Sequence, residues 1–265
     1  MARWKLILEY DGTRYSGWQE QKNARTVAGD LHAAAEKVLG GPVELDGAGR
    51  TDAGVHAIAQ VARLKARRLM PVDALQRALN DELPKDINIL HATEIHGEFD
   101  PRRDALRRYY LYQISTRRTA FAKKFVWWIK EPLNLEAMRA AAASLPGKHD
   151  FERFCEKRAD EPSTIVTVER AEFVANGGLL LFRIAASHYL WRMVRRVVGT
   201  LVEVGRGTIT PDDFGLFVTA PALPRKLRSF SIPAHTAPPS GLFLERVVYR
   251  ESDEPGPPAP VIPVR

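Results

Sequence analysis

The stretch VTVERAEFVANGGLLLFRIAA, residues 166–186, contains two runs of β-forming residues that are separated by Asn176, Gly177 and Gly178. A short glycine-rich connection between two such runs is typical of a β-hairpin, whose strands are antiparallel. Outward from this hairpin, both halves of the chain mix strand and helix patterns without a regular strand–helix–strand alternation. We therefore predict an α+β fold with a mainly antiparallel sheet, not a doubly wound parallel one.

Hydrophobic spacing predicts the elements around the hairpin. Apolar and charged side chains alternate over residues 4–10, which predicts a strand, and residues 109–114 have a similar composition. A spacing of three or four residues between apolar positions predicts a long helix over 188–204. Further strands are expected near 43–45, 60–64, 86–90 and 241–249. Further helices are expected after Thr26, from Pro71 to Pro84, over 132–145 and near 212–218.

The chain divides into two predicted subdomains and a tail. The first covers residues 1–103 and the second covers 104–250, with a charged connection near 99–108. Residues 251–265, ESDEPGPPAPVIPVR, are rich in proline, and we predict that this tail is disordered.

The composition favours an anionic partner and a reducing compartment. Lys and Arg number 39 against 32 Asp and Glu, a net charge of +7, and nucleic acid is the commonest partner of a basic domain. Cys155 is the only cysteine, which excludes an internal disulfide and a cysteine metal cluster and predicts a cytoplasmic protein. We expect neither a signal peptide nor a membrane span, because the charged start and the remaining sequence contain no long apolar run.

A loop of small residues surrounds a charged pair in GAGRTDAGVHA, residues 47–57. The loop does not fit a dinucleotide-binding motif, because Asp52 stands at the third glycine position and would repel a pyrophosphate. It also lacks the spaced glycine that precedes the charged end of a P-loop. By residue type alone, a surface turn in which Asp52 caps a helix stays open. The lack of bulk around Asp52 would equally allow a ligand backbone to approach closely.

GRTDAGVHA, residues 49–57, resembles the signature of the TruA family of tRNA pseudouridine synthases. Further blocks resemble the same family in the same order, from about Arg3 to Tyr249. They are LEYDGTRYSGWQEQ, RALNDELPKDINIL, RRYYLYQI, GKHDFERF, HYLWRMVRRVVGTLVEVGRG and APPSGLFL. The resemblance implies a pseudouridine synthase fold, in which two α/β subdomains share an extended, mainly antiparallel sheet. It also implies a homodimer that isomerises uridines 38, 39 and 40 in the anticodon stem-loop of tRNA without a cofactor.

The resemblance also implies roles for four residues. Asp52 would be the nucleophile, since a carboxylate can add to a nucleoside and leave again. Arg50 would fill the space left by a uridine that has been flipped out of the RNA. Tyr110 would stack on the uracil, and Arg195 would hold Asp52 ionised, because an opposite charge favours the carboxylate.

Several alternatives stay open on residue type and spacing. Helical geometry alone does not separate Arg195 from Arg192 and Arg196, and Tyr109 and Tyr112 compete with Tyr110. Asp52 could add at C1′, add at C6 of the base or promote a glycal path. A sister synthase acting on other uridines and a catalytically silent RNA-binding protein also stay open, although the intact carboxylate argues against silence. Tyr189 departs from the phenylalanine that is common in the family.

Overall fold

A computed structural model describes residues 1–156 and 163–264, which form two compact units. The first unit comprises Met1–Leu106 and Phe243–Glu254, and the second comprises Arg107–Leu242 and the segment that begins at Pro255. Among the described residues, no helix has the length and apolar character needed to cross a membrane.

The first unit is built on five strands and two helices. The strands are β1 (Ala2–Tyr10), β2 (Val43–Gly47), β3 (His56–Ala66), β4 (Ile87–Glu94) and, from Phe243 on, β10 (Leu242–Val248). The helices are α1 (Val27–Leu39) and α2 (Val72–Glu82). Strand β1 lies between β3 and β4, and both pairings are antiparallel. The other edge of β3 pairs with β2 at residues 62–66 and with β10 only at His56 and Ala57.

Local sequence explains where the first helix begins and ends. The side chain of Thr26 accepts a hydrogen bond from the backbone N–H of Gly29, as an N-cap residue does. Gly40 follows the helix with a φ of 70°, the left-handed conformation that glycine adopts without a steric penalty. These caps confirm the helix that was expected between Thr26 and Gly40.

The described residues of the second unit form five strands and three α-helices. The strands are β5 (Arg107–Ser115), β6 (Trp127–Trp128), β7 (Gly147–Asp150), β8 (Ile165–Asn176) and β9 (Leu179–Ala186). The helices are α3 (Leu135–Ala142), α4 (Met193–Gly205) and α5 (Pro211–Thr219). Strand β9 lies between β5 and β8, β7 pairs with the far edge of β8, and these three pairings are antiparallel. The hairpin predicted at residues 166–186 is confirmed, with Asn176 opposite Leu179 across Gly177 and Gly178.

The α+β class and the mainly antiparallel strand pairing are confirmed, whereas some boundaries differ. Helix α4 begins at Met193 and not at residue 188, because Arg192 has a φ of 63°, a left-handed conformation that cannot continue a helix. Strand β10 lies within the range predicted for the second subdomain, but it belongs to the first unit. The reason is its parallel pairing with β3, where Phe243 lies opposite His56.

The tail predicted to be disordered is packed in the structure. Val264 is 4% exposed within an apolar cluster that contains Leu111, Ala122, Val126, Leu179 and Leu181. The backbone N–H of Val261 donates to Oε1 of Gln113 at 2.7 Å. The tail sequence contains three aliphatic residues after position 260, and their burial supplies the contacts that a proline-rich composition alone did not indicate.

Candidate active site

Asp52 lies in a loop at a gap along the edge of β3, in the first unit. Strand β2 ends at Gly47 and the chain returns to β3 at His56, so that residues 48–55 run beside the edge that β2 and β10 leave open. Asp52 is half-buried and Arg50 is exposed. The carbonyl of Asp52 accepts a hydrogen bond from the N–H of Val55 at 3.1 Å, which closes a tight turn directly after the carboxylate. A helix does not follow Asp52, so the helix-cap alternative is wrong.

The segment before α1 braces this loop on both sides of Asp52. The N–H of Trp18 donates to the carbonyl of Thr51 at 3.1 Å, and the N–H of Gly54 donates to the carbonyl of Tyr15 at 3.1 Å. Gly17 makes the approach possible, because a Cβ atom there would lie 2.6 Å from the oxygen of Thr51. The backbone around Asp52 is therefore fixed by a segment more than thirty residues away in the sequence.

Buried polar side chains support the loop from beneath. The hydroxyl groups of Tyr10 and Thr51 lie 2.8 Å apart, and Nε2 of Gln60 donates to the carbonyl of Gly49 at 2.9 Å. Burial raises the pKa of the Tyr10 hydroxyl, and the hydrogen bonds with Thr51 and Gln60 only partly oppose that rise. Tyr10 is therefore neutral at physiological pH, and it can hold Thr51 without adding a charge beside Asp52.

His56 packs directly behind the loop. It is 1% exposed, its ring stacks on Phe243 with centroids 4.9 Å apart, and its Nδ1 accepts a hydrogen bond from the N–H of Gly12 at 3.1 Å. The sequence marked this N-terminal segment only through its resemblance to a family block. Nothing in the residue types identified Tyr10, Gln60 or Gly17 as supports of the loop.

Tyr110 lies on β5 in the second unit, opposite Ile184 of β9. Its ring meets the ring of Tyr189 edge to face, with centroids 4.8 Å apart, and the residue is 7% exposed. The hydroxyl of Tyr189 lies 2.9 Å from the carbonyl of Ile184 and 3.1 Å from that of Arg108. The Tyr189 ring thus packs against the Tyr110 ring, and its hydroxyl, which phenylalanine lacks, is hydrogen-bonded to the backbone.

Tyr109 and Tyr112, the two alternatives to Tyr110 for stacking on uracil, have different surroundings from Tyr110. Tyr109 follows the opposite face of β5, and the guanidinium of Arg183 lies 5.8 Å from the centroid of its ring. Tyr112 is fully buried, and its hydroxyl donates to the carbonyl of Pro238 at 2.8 Å. Burial raises the pKa of Tyr112, and the nearby charge of Arg195 lowers it less than burial raises it.

Arg195 differs from its two neighbours in the first turn of α4. Its Nε donates to the carbonyl of Ala237 at 2.8 Å, and the guanidinium is partly exposed. Arg192 and Arg196 instead both approach Glu156, at 2.9 Å and 3.7 Å. Burial lowers the pKa of Arg196, and its Nε has no hydrogen-bond partner among the described residues.

Two of the four expected site residues therefore lie in each unit. Asp52 and Arg50 share one loop of the first unit, and Tyr110 and Arg195 lie on β5 and α4 of the second unit. No group of three His, Cys, Asp or Glu side chains in residues 1–156 and 163–264 could hold a metal ion.

Comparison with known proteins identifies similar sequences along almost the whole chain. A family described as tRNA pseudouridine synthase matches residues 6–102 and 141–250. The tRNA pseudouridine synthase A of Nitrobacter winogradskyi is 42% identical over 256 residues, which cover 95% of this chain and 97% of that protein. The protein of the same name from Myxococcus xanthus is 41% identical over 265 residues, covering 98% of this chain and 95% of that protein.

A solved structure of an archaeal box H/ACA sRNP Nop10-Cbf5 complex has a TM-score of 0.36 and 9% identity to this chain. The similarity covers 75% of this chain and 42% of that one.

Proposed function

The chain belongs to the tRNA pseudouridine synthase family and is an isomerase that acts on tRNA, and on that basis we propose that Asp52 is its nucleophile. The proposed targets are the uridines at positions 38, 39 and 40 of the anticodon stem-loop. The proposed reaction uses no cofactor, because breaking one bond to C1′ and forming another leaves the oxidation state of the nucleoside unchanged.

The way in which the Asp52 loop is held carries this proposal. Backbone hydrogen bonds from Trp18 to Thr51 and from Gly54 to Tyr15 fix the chain immediately before and after the carboxylate. A catalytic group must be held close to its productive geometry, and such support removes the freedom of a surface loop. The glycine and alanine residues around Asp52 leave space for a nucleotide backbone.

The isomerisation balances within the nucleoside. The bond between C1′ and N1 breaks, the uracil rotates, and a bond between C1′ and C5 forms. The proton on C5 leaves, and N1 gains a proton. Addition of Asp52 at C1′, addition at C6 and a glycal path all need the same carboxylate, so its assignment does not depend on the route.

The other three residues have roles that match their surroundings. Arg50 is exposed on the same loop as Asp52, where a guanidinium can enter the space vacated by the flipped uridine and bind phosphate. Tyr110 makes a T-shaped contact with Tyr189, which would keep its ring in one orientation for stacking on uracil. Arg195 would favour the ionised form of Asp52.

We further infer a homodimer that acts in the cytoplasm on tRNA. Support for the dimer comes from the family resemblance, and support for the compartment comes from a chain with one cysteine. The basic runs at 63–68 and 117–124, together with the net charge of +7, favour contacts with the tRNA backbone.

The deciding experiment compares wild type with Asp52→Ala on unmodified tRNA without added cofactor, and pseudouridine is mapped at single-nucleotide resolution. We expect product at positions 38–40, a rate loss of at least ~10³-fold in the variant, and nearly unchanged tRNA binding. Asp73→Ala is the matched control, because Asp73 is an exposed carboxylate in the first turn of α2.

Other results would redirect the assignment. Product at other uridines would favour the sister synthase, and tRNA binding without product in wild type would favour the silent RNA-binding protein. An active Asp52→Ala variant would refute the role of Asp52.

A further inference from the structure

Three residues of helix α4 form a stripe that begins at the expected catalytic arginine. Arg195, Gly199 and Glu203 are spaced by four residues, so their positions lie one above the other on the same face of the helix. A segment of the second unit, Ile232–Pro238, crosses this stripe, and we call it the strap. Its first four residues form a 3₁₀ turn, and Ile232 and Ala237 are buried.

One end of the strap binds Arg195 through two hydrogen bonds. Nε of Arg195 donates to the carbonyl of Ala237 at 2.8 Å, and the N–H of Ala237 donates to the carbonyl of Arg195 at 3.0 Å. The hydroxyl of Tyr112 donates to the carbonyl of Pro238, the next residue of the strap. The direction in which the arginine side chain leaves the helix therefore depends on where residues 237–238 lie.

The middle of the strap lies directly on the backbone of α4. A Cβ atom at Gly199 would lie only 1.5 Å from the carbonyl oxygen of His235 and 3.1 Å from the backbone nitrogen of Ala237. Any side chain at Gly199 would displace the strap. Glycine in the interior of a helix is unfavourable by roughly 1 kcal/mol relative to alanine, and the close contact is the reason for it here.

The centre of the strap is fastened to Glu203. Nδ1 of His235 lies 3.4 Å from Oε1 of Glu203, and the histidine ring stacks on Phe230 with centroids 4.7 Å apart. Glu203 also accepts hydrogen bonds from Arg206 at 2.7 Å and from Thr208 at 2.8 Å.

The carboxylate of Glu203 is ionised despite its position in the fold. Burial raises the pKa of Glu203, but hydrogen bonds from Thr208 and Arg206, with the charges of His235 and Arg206, together lower it below the usual value. An ionised acceptor makes the stronger type of hydrogen bond. Glu203 is thus a fixed, negatively charged anchor for His235 of the strap.

We propose that the strap is a positioning device for Arg195, in which His235 and Glu203 hold the segment whose Ala237 carbonyl aims the guanidinium. His235 and Glu203 touch no substrate and act through the strap, so they are positioning residues. The inference rests on the proposed role of Arg195. It adds a specific route by which residues up to two helical turns away control the direction of the Arg195 guanidinium.

The test uses His235→Leu, which keeps an apolar side chain against Phe230 and removes the nitrogen that faces Glu203. We expect the single-turnover rate at saturating enzyme to fall about tenfold, while the Kd for tRNA stays within about twofold. We also expect the Nε–H resonance of Arg195 to shift or broaden in ¹⁵N NMR, after its assignment with Arg195→Lys. His235→Asn places an amide nitrogen near the position of Nδ1 and should restore both.

His96→Leu is the matched control. It makes the same substitution at an exposed histidine of the first unit, outside the strap, and should leave the rate and the Arg195 resonance unchanged. If His235→Leu does not fold, Glu203→Gln replaces it, since the loss of the anchor's charge should give the same two changes.

The outcomes separate this inference from the function on which it rests. A wild-type rate and an unmoved Arg195 resonance in His235→Leu would overturn the strap, and so would equal losses in His96→Leu. Wild type that forms no pseudouridine would instead refute the proposed function, and the NMR comparison would still test the strap. An active Arg195→Lys variant with wild-type rate would show that the position of the guanidinium does not matter.

Discussion

Tyr189 shows how one hydroxyl group can matter in a site without taking part in the chemistry. Its ring makes a T-shaped contact with the ring of Tyr110, and its hydroxyl donates to the carbonyls of Ile184 and Arg108. Burial raises the pKa of Tyr189 well above its ordinary value, so the folded protein keeps this side chain neutral. The phenylalanine common in the family would keep the ring contact and lose only the hydrogen bonds.

Tyr189→Phe should therefore lower the free energy of unfolding by about 1 kcal/mol at pH 7 and leave the isomerisation rate close to that of wild type. The pKa of Tyr189 is higher in the folded than in the unfolded chain, so its stabilisation is complete below about pH 10 and is lost as the pH rises further. Urea unfolding between pH 8 and 11 should show a shallower alkaline decline for the variant, by up to ~1.4 kcal/mol per pH unit. An identical decline for both proteins would contradict the assignment.

At the scale of single residues, the sequence predicted chemistry better than geometry. Residue types and family blocks indicated Asp52, Arg50, Tyr110 and Arg195 as a set, and whether these four act in catalysis stays a prediction. The contacts that distinguish Arg195 from its neighbours depend on Glu156 and Ala237, more than thirty residues away on either side of the helix. Helical spacing carries no information about such distant partners.

Among the elements, the loop that carries Asp52 depends on the segment that precedes α1. Gly17 has a φ of 97°, and its Cβ position would lie 2.6 Å from the carbonyl oxygen of Thr51. Both features require glycine at this position. For other residues a positive φ is energetically unfavourable, and their Cβ atom would collide with the loop.

Gly17→Ala should lower the free energy of unfolding by about 2–3 kcal/mol and reduce the single-turnover rate more than tenfold, because the loop around Asp52 loses its brace. Gly41→Ala is the matched control in the same unit, since no atom lies within 4 Å of its Cβ position. Denaturant unfolding and rate measurements on both variants check the expectation. Equal behaviour of the two variants would show that the brace is unimportant.

The sequence predicted long elements well and their ends less well. The hairpin of β8 and β9 followed from two strand-like runs around adjacent glycines, because a tight turn is a local property. The start of α4 did not follow, since the apolar spacing continues to Leu190 while the backbone turns left-handed at Arg192. The four-residue strand β7 was missed because its sequence, GKHD, has no β-forming pattern and exists as a strand only by pairing with β8.

For the whole molecule, the segment after Glu254 is part of the second unit and not an appendage. Val264 closes an apolar cluster, and its carbonyl accepts a hydrogen bond from the N–H of Gly178 at 3.0 Å. Composition predicted disorder because prolines and charges dominate the segment. The few aliphatic residues near its end decide the outcome, since each buried side chain contributes about 1.5–3 kcal/mol.

Val264→Asp should lower the free energy of unfolding by about 3 kcal/mol or more, because it places a carboxylate in an apolar cluster. Ala259→Asp introduces the same side chain at an exposed position of the same segment and should change stability by less than ~0.5 kcal/mol. Thermal unfolding of the two variants tests the contrast. Two equally stable variants would show that the tail does not contribute to the unit.

Strand β10 completes the sheet of the first unit, although the whole of the second unit's main segment separates it from β4 in the sequence. When translation has passed residue 106, strand β10, which the first unit also needs, has therefore not yet been synthesised. The nascent first unit therefore lacks the partner of His56 and Ala57 on β3 until translation has passed Val248. Single protease cuts within the intervening stretch would, for the same reason, leave two fragments that still have to associate to keep Asp52 in place.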